Sequence, residues 1–372
     1  MSDVAGARAV RDEDAFDVPT MADWLRAHAA DAGQDADGLD GIPTVRQFTG
    51  GASNLTYLLT YAASPAFPRG RELILRRPPA GTKARGAHDM AREYHLQAAL
   101  APVFPKVPPM VALCQDEGVL GSDFYVMQRL AGTITRKDLP ASLGLDAAGV
   151  ERLCVNALDT LVELHSVDLD GSGLEHLDKG PGYVERQVSG WSGRYRRART
   201  RDVGSFEKVI AWLAEHQPED QPHVLIHNDF RFDNLVLADA PDPLGTGAHL
   251  APDPTGIRGV LDWEMATVGD PLMDLGGAMA YWVQADDDPV RRRMRLQPTH
   301  TPGMLTRVQA VRYYCAARGI EMDRTRWTFY EVFGLFRLAA IAQQIYYRYH
   351  EGQTTNPAYA RFRWMVIYLE YR

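Results

Sequence analysis

The chain has 372 residues, 45% hydrophobic and 24% charged, a globular composition long enough for two or three ordinary domains or one large two-lobed one. Lys and Arg number 40 against 48 Asp and Glu, and the formal net charge of −8 argues against nucleic-acid binding by bulk electrostatics. The three cysteines, Cys114, Cys154 and Cys315, are scattered and odd in number, which argues against a disulfide framework or zinc cluster and suits a reducing compartment.

The first residues, M-S-D-V-A-G-A-R, have no apolar core of the signal-peptide kind, and no run approaches the roughly 18 apolar residues of a membrane span. The expectation is a cytoplasmic protein with no membrane partner. Residues 1 to about 20 read as a frayed polar segment, and Met21 to Ala30 has helical spacing. Residues 1–40 are therefore set apart as an extension with a helix, 41–130 as a nucleotide-binding lobe and 131–372 as a catalytic and acceptor-binding lobe.

Val45 to Tyr61 has two β-rich runs flanking Gly50-Gly51-Ala52-Ser53-Asn54, which predicts a hairpin. The glycines would let backbone N–H groups approach an anion, with Ser53 and Asn54 adding donors; an ordinary Gly-Gly turn stays open. Leu73 to Arg77 predicts a strand in which Ile74 and Arg76 share one face and Leu73, Leu75 and Arg77 the other. Laid over the kinase strand V-A-I-K, Arg76 falls at the phosphate-binding Lys, although Arg77 remains a candidate. Ala87 to Leu100 predicts a helix with Asp89 near its start and Glu93 mid-helix, where a kinase places the carboxylate that orients the strand cation; an exposed helix Glu stays open. Phe124 to Leu130 predicts another strand, and the break at Ala131-Gly132 makes Gln128 and Leu130 the candidate hinge against an adenine edge.

Helical periodicity then takes over at Leu145 to His165 and at Tyr183 to Arg201, the latter carrying five arginines from Arg194 to Arg201. Arg194, Arg196 and Arg197 are candidates for an anionic acceptor, with a solvated helix face as the alternative. A further helix spans Ser205 to His216, with Ser205 as its expected N-cap. Val224 to Leu237, V-L-I-H-N-D-F-R-F-D-N-L-V-L, follows as two short buried strands holding a polar loop. Its H-x-D-x-x-x-x-N spacing is that of a kinase catalytic loop, with Asp229 as base and Asn234 as a magnesium ligand; a polar hairpin loop is the plainer alternative. His227 reads as a satisfied buried residue. A return strand, Ile257 to Leu261, delivers Asp262-Trp263-Glu264, and Gly269-Asp270-Pro271 opens a helix carrying Asp274. Long apolar-periodic helices follow at Met304 to Arg318 and Tyr330 to Tyr349, with a last one at Ala358 to Glu370.

The ordered set of Gly-rich hairpin, strand cation, helix Glu, hinge, H-N-D-F-R-F-D-N, L-D-W-E and G-D-P-L-M-D-L-G resembles the aminoglycoside phosphotransferase-like branch of the protein-kinase-like fold over roughly residues 40 to 350. G-G-A-S-N-L-T-Y, L-R-R-P-P-A-G and A-H-D-M-A-R-E-Y are similar to the kinase-like domain fused ahead of certain acyl-CoA dehydrogenases. The resemblance implies an α+β fold with a small antiparallel-sheet lobe carrying one helix and a larger, mostly helical lobe. It implies ATP and Mg2+ as cofactors and a small-molecule hydroxylated acceptor, with a hydroxyacyl-CoA as one candidate. Asp229 is then the base, Arg231 faces the transferred phosphoryl, Asn234 and Asp262 hold magnesium, and Arg76, oriented by Glu93, meets the phosphates. Asp274, Glu264 and His227 would support the loop. Arg76 departs from the usual Lys, and Asp-Trp-Glu from Asp-Phe-Gly. An aminoglycoside or amino-alcohol phosphotransferase and a non-catalytic nucleotide-binding pseudokinase are the alternatives.

Overall fold

The computed structural model describes residues 6–29, 36–48, 54–79, 89–240 and 252–372. The predicted glycine-rich tip, Gly50, Gly51 and Ser53, lies outside them. The chain divides into two compact units, Met1–Ala131 and Gly132–Arg372.

The first unit is built on strands β1 (Ala7–Arg8), β2 (Thr44–Phe48), β3 (Leu55–Thr60), β4 (Glu72–Arg77), β5 (Met110–Cys114) and β6 (Phe124–Gln128), with helices α1 (Val18–His28), α2 (Met90–Leu100) and α3 (Glu117–Leu120). The sheet runs β1-β2-β3-β4-β6-β5 and is antiparallel throughout. Side chains of a strand alternate between faces, and here both faces are covered, so the strands read as apolar runs rather than as alternating patterns. Met21 and Leu25 of α1 pack with Tyr57, Leu59, Leu73, Leu75 and Val126 on one face. Met90 of α2 packs with Leu58, Ile74, Tyr125 and Met127 on the other. The segment before residue 41 thus supplies the helix that covers one face of this unit's sheet. Asp17 and Asp89 cap α1 and α2 by accepting from the Thr20 and Arg92 N–H groups.

The second unit holds α4 (Ala147–Leu164), α5 (Tyr183–Ala198), α6 (Glu207–Glu215), β7 (Val224–Ile226), β8 (Leu235–Ala238), β9 (Asp253–Val260), β10 (Thr267–Gly269), α7 (Pro271–Ala280), α8 (Pro289–Arg293), α9 (Arg307–Ala317), α10 (Arg324–His350) and α11 (Phe362–Tyr371). The polar stretch between β7 and β8 is not a hairpin loop: β7 pairs with β10, and β8 with β9. Each flank is therefore held by a different neighbour, and the loop is stretched between two anchors. Ser205 is not the N-cap of α6 either. The helix starts at Glu207 behind Phe206, which takes a left-handed φ of 53° with no side-chain cap, while its buried ring packs against Tyr195 and Phe336. Tertiary packing has outweighed local cap chemistry there.

Helices α7 and α10 cross closely because glycines face each other. A Cβ on Gly276 would stand 2.6 Å from the Tyr330 carbonyl oxygen, and one on Gly334 would stand 2.3 Å from the Gly276 carbonyl oxygen. This contact holds the N-terminal half of α7, and with it Asp274, in place. Among the described residues no helix is long and apolar enough to cross a membrane.

Candidate functional site

The loop from His227 to Asn234 is fixed from behind by Asp274. Asp274 is fully buried one turn into α7, whose N-terminus is capped by Asp270 accepting from Leu272 and Met273 N–H groups. The two Asp274 oxygens accept the N–H groups of His227 and Asn228, each at 2.8 Å, and His165 Nε2 lies 3.1 Å from Oδ2. Burial alone would raise this carboxyl, but the His165 contact and the loop's donors hold it below the ordinary range. The other His165 nitrogen bonds Tyr314, so the anchor is tied into α4 and α9.

His227, fully buried, accepts the Asp229 N–H on Nδ1 at 3.2 Å and places Nε2 3.0 Å from the Leu261 carbonyl. A carbonyl only accepts, so the bonds assign the neutral ring with its proton on Nε2. The ring packs edge-on to Trp263, whose Nε1–H donates to the Val260 carbonyl at 2.9 Å. Trp263 is fully buried and its role in the fold is packing. Asn228, between His227 and Asp229, takes a left-handed φ of 64°. This is a conformation that Asn tolerates better than most residues.

Asn234 Nδ2 donates to the Asp229 backbone carbonyl at 2.8 Å and to Asp229 Oδ2 at 3.0 Å. These bonds orient the Asp229 carboxylate and commit the Asn234 nitrogen, so its amide oxygen is the atom remaining for a ligand. Arg231 Nε lies 3.2 Å from Asp229 Oδ1 and its Nη2 3.2 Å from Asp233 Oδ2. The Nε contact is an ion pair without hydrogen-bond alignment. The guanidinium also lies over the Tyr281 ring, 4.7 Å from its centre. Burial pushes the Asp229 carboxyl up, Arg231 pulls it back, and Asp262 adds to the rise. Asp233 is raised by burial in the same way, against the pull of Arg231.

Three carboxylates, Asp229, Asp233 and Asp262, thus share the field of one loop guanidinium. That surplus suits a divalent cation. Asp262 holds a left-handed φ of 69° at the end of β9, a conformation costly for a β-carbon residue, and Glu264 follows, half-buried. Among the described residues no three His, Cys, Asp or Glu side chains form a closed metal cage. The Asn234 amide oxygen and the Asp262 carboxylate are oxygen donors of the kind that magnesium accepts beside phosphates.

In the first unit, Arg76 Nη1 donates to Glu93 Oε1 at 2.7 Å, with both side chains nearly buried. Arg77 points to the other face, donating to the Asp14 carbonyl at 2.8 Å and lying over Phe16 and Tyr57. Of the two arginines, Arg76 is the one on the α2 face. Asn54 is buried at the head of β3, Gln128 is buried at the end of β6, and Leu130 is half-buried beyond it.

The basic run does not act as a block. Arg196 is exposed and paired with Glu207, at 2.9 and 2.6 Å, which takes it out of an anion site. Arg194 lies over Trp191, 4.6 Å from the ring centre, and Arg197 is exposed beside it. Arg337, which lies outside every motif of the sequence, donates to the Asn228 carbonyl at 2.6 Å. Its signal is a lone charge in apolar surroundings, since no other charged residue stands between Glu331 and Arg348.

The chain is 35% identical over 311 residues to acyl-CoA dehydrogenase family member 10 of Mus musculus, covering 83% of this chain and 27% of that protein. It spans about a quarter to two fifths of the length of the curated relatives it matches. A solved protein of Ralstonia eutropha, provisionally named an aminoglycoside phosphotransferase, superposes with a TM-score of 0.73 at 25% identity, covering 96% of each chain. An aminoglycoside phosphotransferase solved in a ternary complex with ADP and hygromycin B shares the fold at 14% identity and a TM-score of 0.51, covering 88% of this chain and 93% of that one. The model of the phosphotransferase enzyme family matches residues 44–305, and the chain belongs to that family.

Proposed function

We propose that this enzyme transfers the γ-phosphoryl group of ATP to the hydroxyl of a small molecule, with Asp229 as the base. The observation that carries the reading is the Asp229 carboxylate, oriented by Asn234 and set beside Asp262 in a loop that Asp274 holds rigid. The solved fold neighbour with bound ADP supports the nucleotide.

Phosphoryl transfer asks the protein for position and charge neutralisation more than for covalent chemistry. The acceptor oxygen bonds to the γ-phosphorus as the bond from that phosphorus to the ADP oxygen breaks. Asp229 takes the hydroxyl proton. Arg231, between Asp229 and Asp233, is placed to stabilise charge on the transferred group. Arg76, fixed by Glu93, would meet the phosphate oxygens. Asn234 and Asp262 would supply the protein oxygens for magnesium, which would neutralise the phosphates. Gly50, Gly51, Ser53 and Asn54 would cover the phosphates, and Gln128 and Leu130 would meet the base.

For the acceptor we propose a hydroxyacyl-CoA. The curated relatives of which this chain matches a part are named as acyl-CoA dehydrogenase family members. A polycationic aminoglycoside fits less well, because Arg194, Arg197 and Arg337 form a basic cluster with no carboxylate partner among the described residues. A pseudokinase fits less well because base and metal donors are all retained. The test is ATP consumption by wild type and Asp229→Asn across hydroxyacyl-CoAs, amino alcohols and aminoglycosides. Turnover of hydroxyacyl-CoAs that disappears in the variant supports the reading. Turnover only with the cationic panel overturns the acceptor, and no turnover with any alcohol overturns the activity.

A further inference from the structure

Arg337 lies in the apolar middle of α10 and is 7% exposed. A guanidinium carries five N–H donors, and burying it is costly unless acceptors meet them. Here one bond is made, to the Asn228 carbonyl, while Nε is buried without an acceptor and no carboxylate pairs with the group among the described residues. Space has nevertheless been cleared for it: a Cβ on Gly277 would stand 2.9 Å from Nη1. The charged and titratable groups around it are Asp229, Tyr183, Tyr281 and Arg194, each of which feels its field. Asp229 is already engaged by Arg231 and Asn234.

Trp191 of α5 carries the guanidinium of Arg337 at 5.3 Å and that of Arg194 at 4.6 Å from its ring centre. Two like charges sharing one aromatic ring, with Arg197 adding to the repulsion on Arg194, are an arrangement that a folded chain alone does not reward. An anion within reach of both guanidiniums would offset the repulsion on the exposed Arg194 and offer acceptors to the remaining Arg337 donors. We propose that Arg337 and Arg194, seated on Trp191, form an anion-recognition subsite for the acceptor, taking a carboxylate or phosphate group close to its reacting hydroxyl. The position follows from the bond of Arg337 to Asn228, the residue before the base. The anion chemistry follows from the planar donor fork, which matches two oxygens of a carboxylate or phosphate. That the ligand is the acceptor rests on the phosphotransferase reading; the anion site stands on the geometry.

The test uses the full chain with a non-hydrolysable ATP analogue and magnesium filling the nucleotide site. Inorganic phosphate and, separately, propionate are titrated in by calorimetry at low salt, which tells the two anion sources apart. Wild type and Arg292→Ala, which removes an exposed arginine elsewhere, are expected to bind at least one anion with the same Kd. Arg194→Ala is expected to weaken that Kd by about tenfold, and Arg337→Lys by a similar factor because a point charge replaces the fork. Arg194→Ala leaves the buried Arg337 in place and so keeps the test free of misfolding. Wild-type Kd values in both variants, or no binding of either anion by wild type, overturn the proposal. Failure of the phosphotransferase reading shows separately, as a protein that consumes no ATP with any alcohol while the Kd differences remain.

Discussion

Asp229 is held by four neighbours that do different things. Asn234 aims its carboxylate, His227 accepts its N–H, Arg231 offsets its charge and Asp262 opposes it. Replacing it with Asn keeps the shape and removes the proton acceptor. Turnover with the best acceptor is expected to fall about 10²-fold or more, with nucleotide Kd unchanged. Single-turnover kinetics beside a binding titration check this, and near-wild-type turnover would take Asp229 out of the role. Asp262→Ala addresses the cation. Nucleotide affinity in the variant is expected to become insensitive to magnesium, read by titrating ATP with and without the ion. A full magnesium effect in the variant places the metal donors elsewhere.

At the scale of elements, α5 begins without a cap of its own, at Gly182 with a left-handed φ. Asp220, from the segment before β7, accepts the N–H groups of Gly182, Tyr183 and Val184 at 2.7 to 2.9 Å. His223 lies between Asp220 and Asp178 at 3.2 and 2.9 Å. Burial pulls His223 down, but its bonds to Asp178 and Asp220 outweigh it and leave the ring raised; both carboxyls are lowered. A raised histidine stabilises fully below its unfolded value, about 6.5, and loses that effect as pH rises through the folded value. Lowered aspartates stabilise above about 3.9 and lose it below. The stability difference between wild type and His223→Gln is therefore expected to be largest between about pH 4 and 6.5 and to shrink as pH rises through the raised folded value of His223, as urea unfolding would show. A difference that grows with pH contradicts the pairing. The α7–α10 crossing offers a second check. Gly334→Ala puts a methyl where the Gly276 carbonyl stands, and a loss of about 1–3 kcal/mol is expected from denaturant unfolding.

For the whole molecule, the proposed nucleotide cation and the proposed acceptor cations fall in different compact units: Arg76 in Met1–Ala131, and Arg194 and Arg337 in Gly132–Arg372. Their kinetic effects are expected to separate. Arg76→Met is expected to raise the ATP KM about tenfold with little change in acceptor KM, and Arg194→Ala to do the reverse. Arg76→Met also leaves Glu93 buried without its cation, so a lower Tm accompanies it, and assays belong well below that Tm. Equal shifts in both KM values for either variant would merge the two sites.

The chemistry of the loop is legible in the sequence because it is local. Asp229 and Asn234 are five residues apart, and one short stretch brings them to 3.0 Å. The alternation of strand β4 is local too, and it separates Arg76 from Arg77 before any fold is known. The fold class follows from the family resemblance that the ordered motifs carry. Partners distant in sequence do not announce themselves in this way. A three-residue strand such as Val224–Ile226 carries no mark of its neighbour, so its pairing with Thr267–Gly269, which removes the plainer hairpin alternative, appears only in the fold. Asp274 reaches His227 across 47 positions, a support for the loop that only the family resemblance suggests, and Arg337 reaches Asn228 across 109 with no such signal. Likewise, the basic run shows five arginines alike, and only their surroundings divide Arg196, neutralised by Glu207, from Arg194, stacked on Trp191. The sequence by itself determines which chemical groups the loop presents and in what order. The tertiary structure decides which charges are cancelled and which stay buried and unmet, because that depends on packing between helices far apart in the chain.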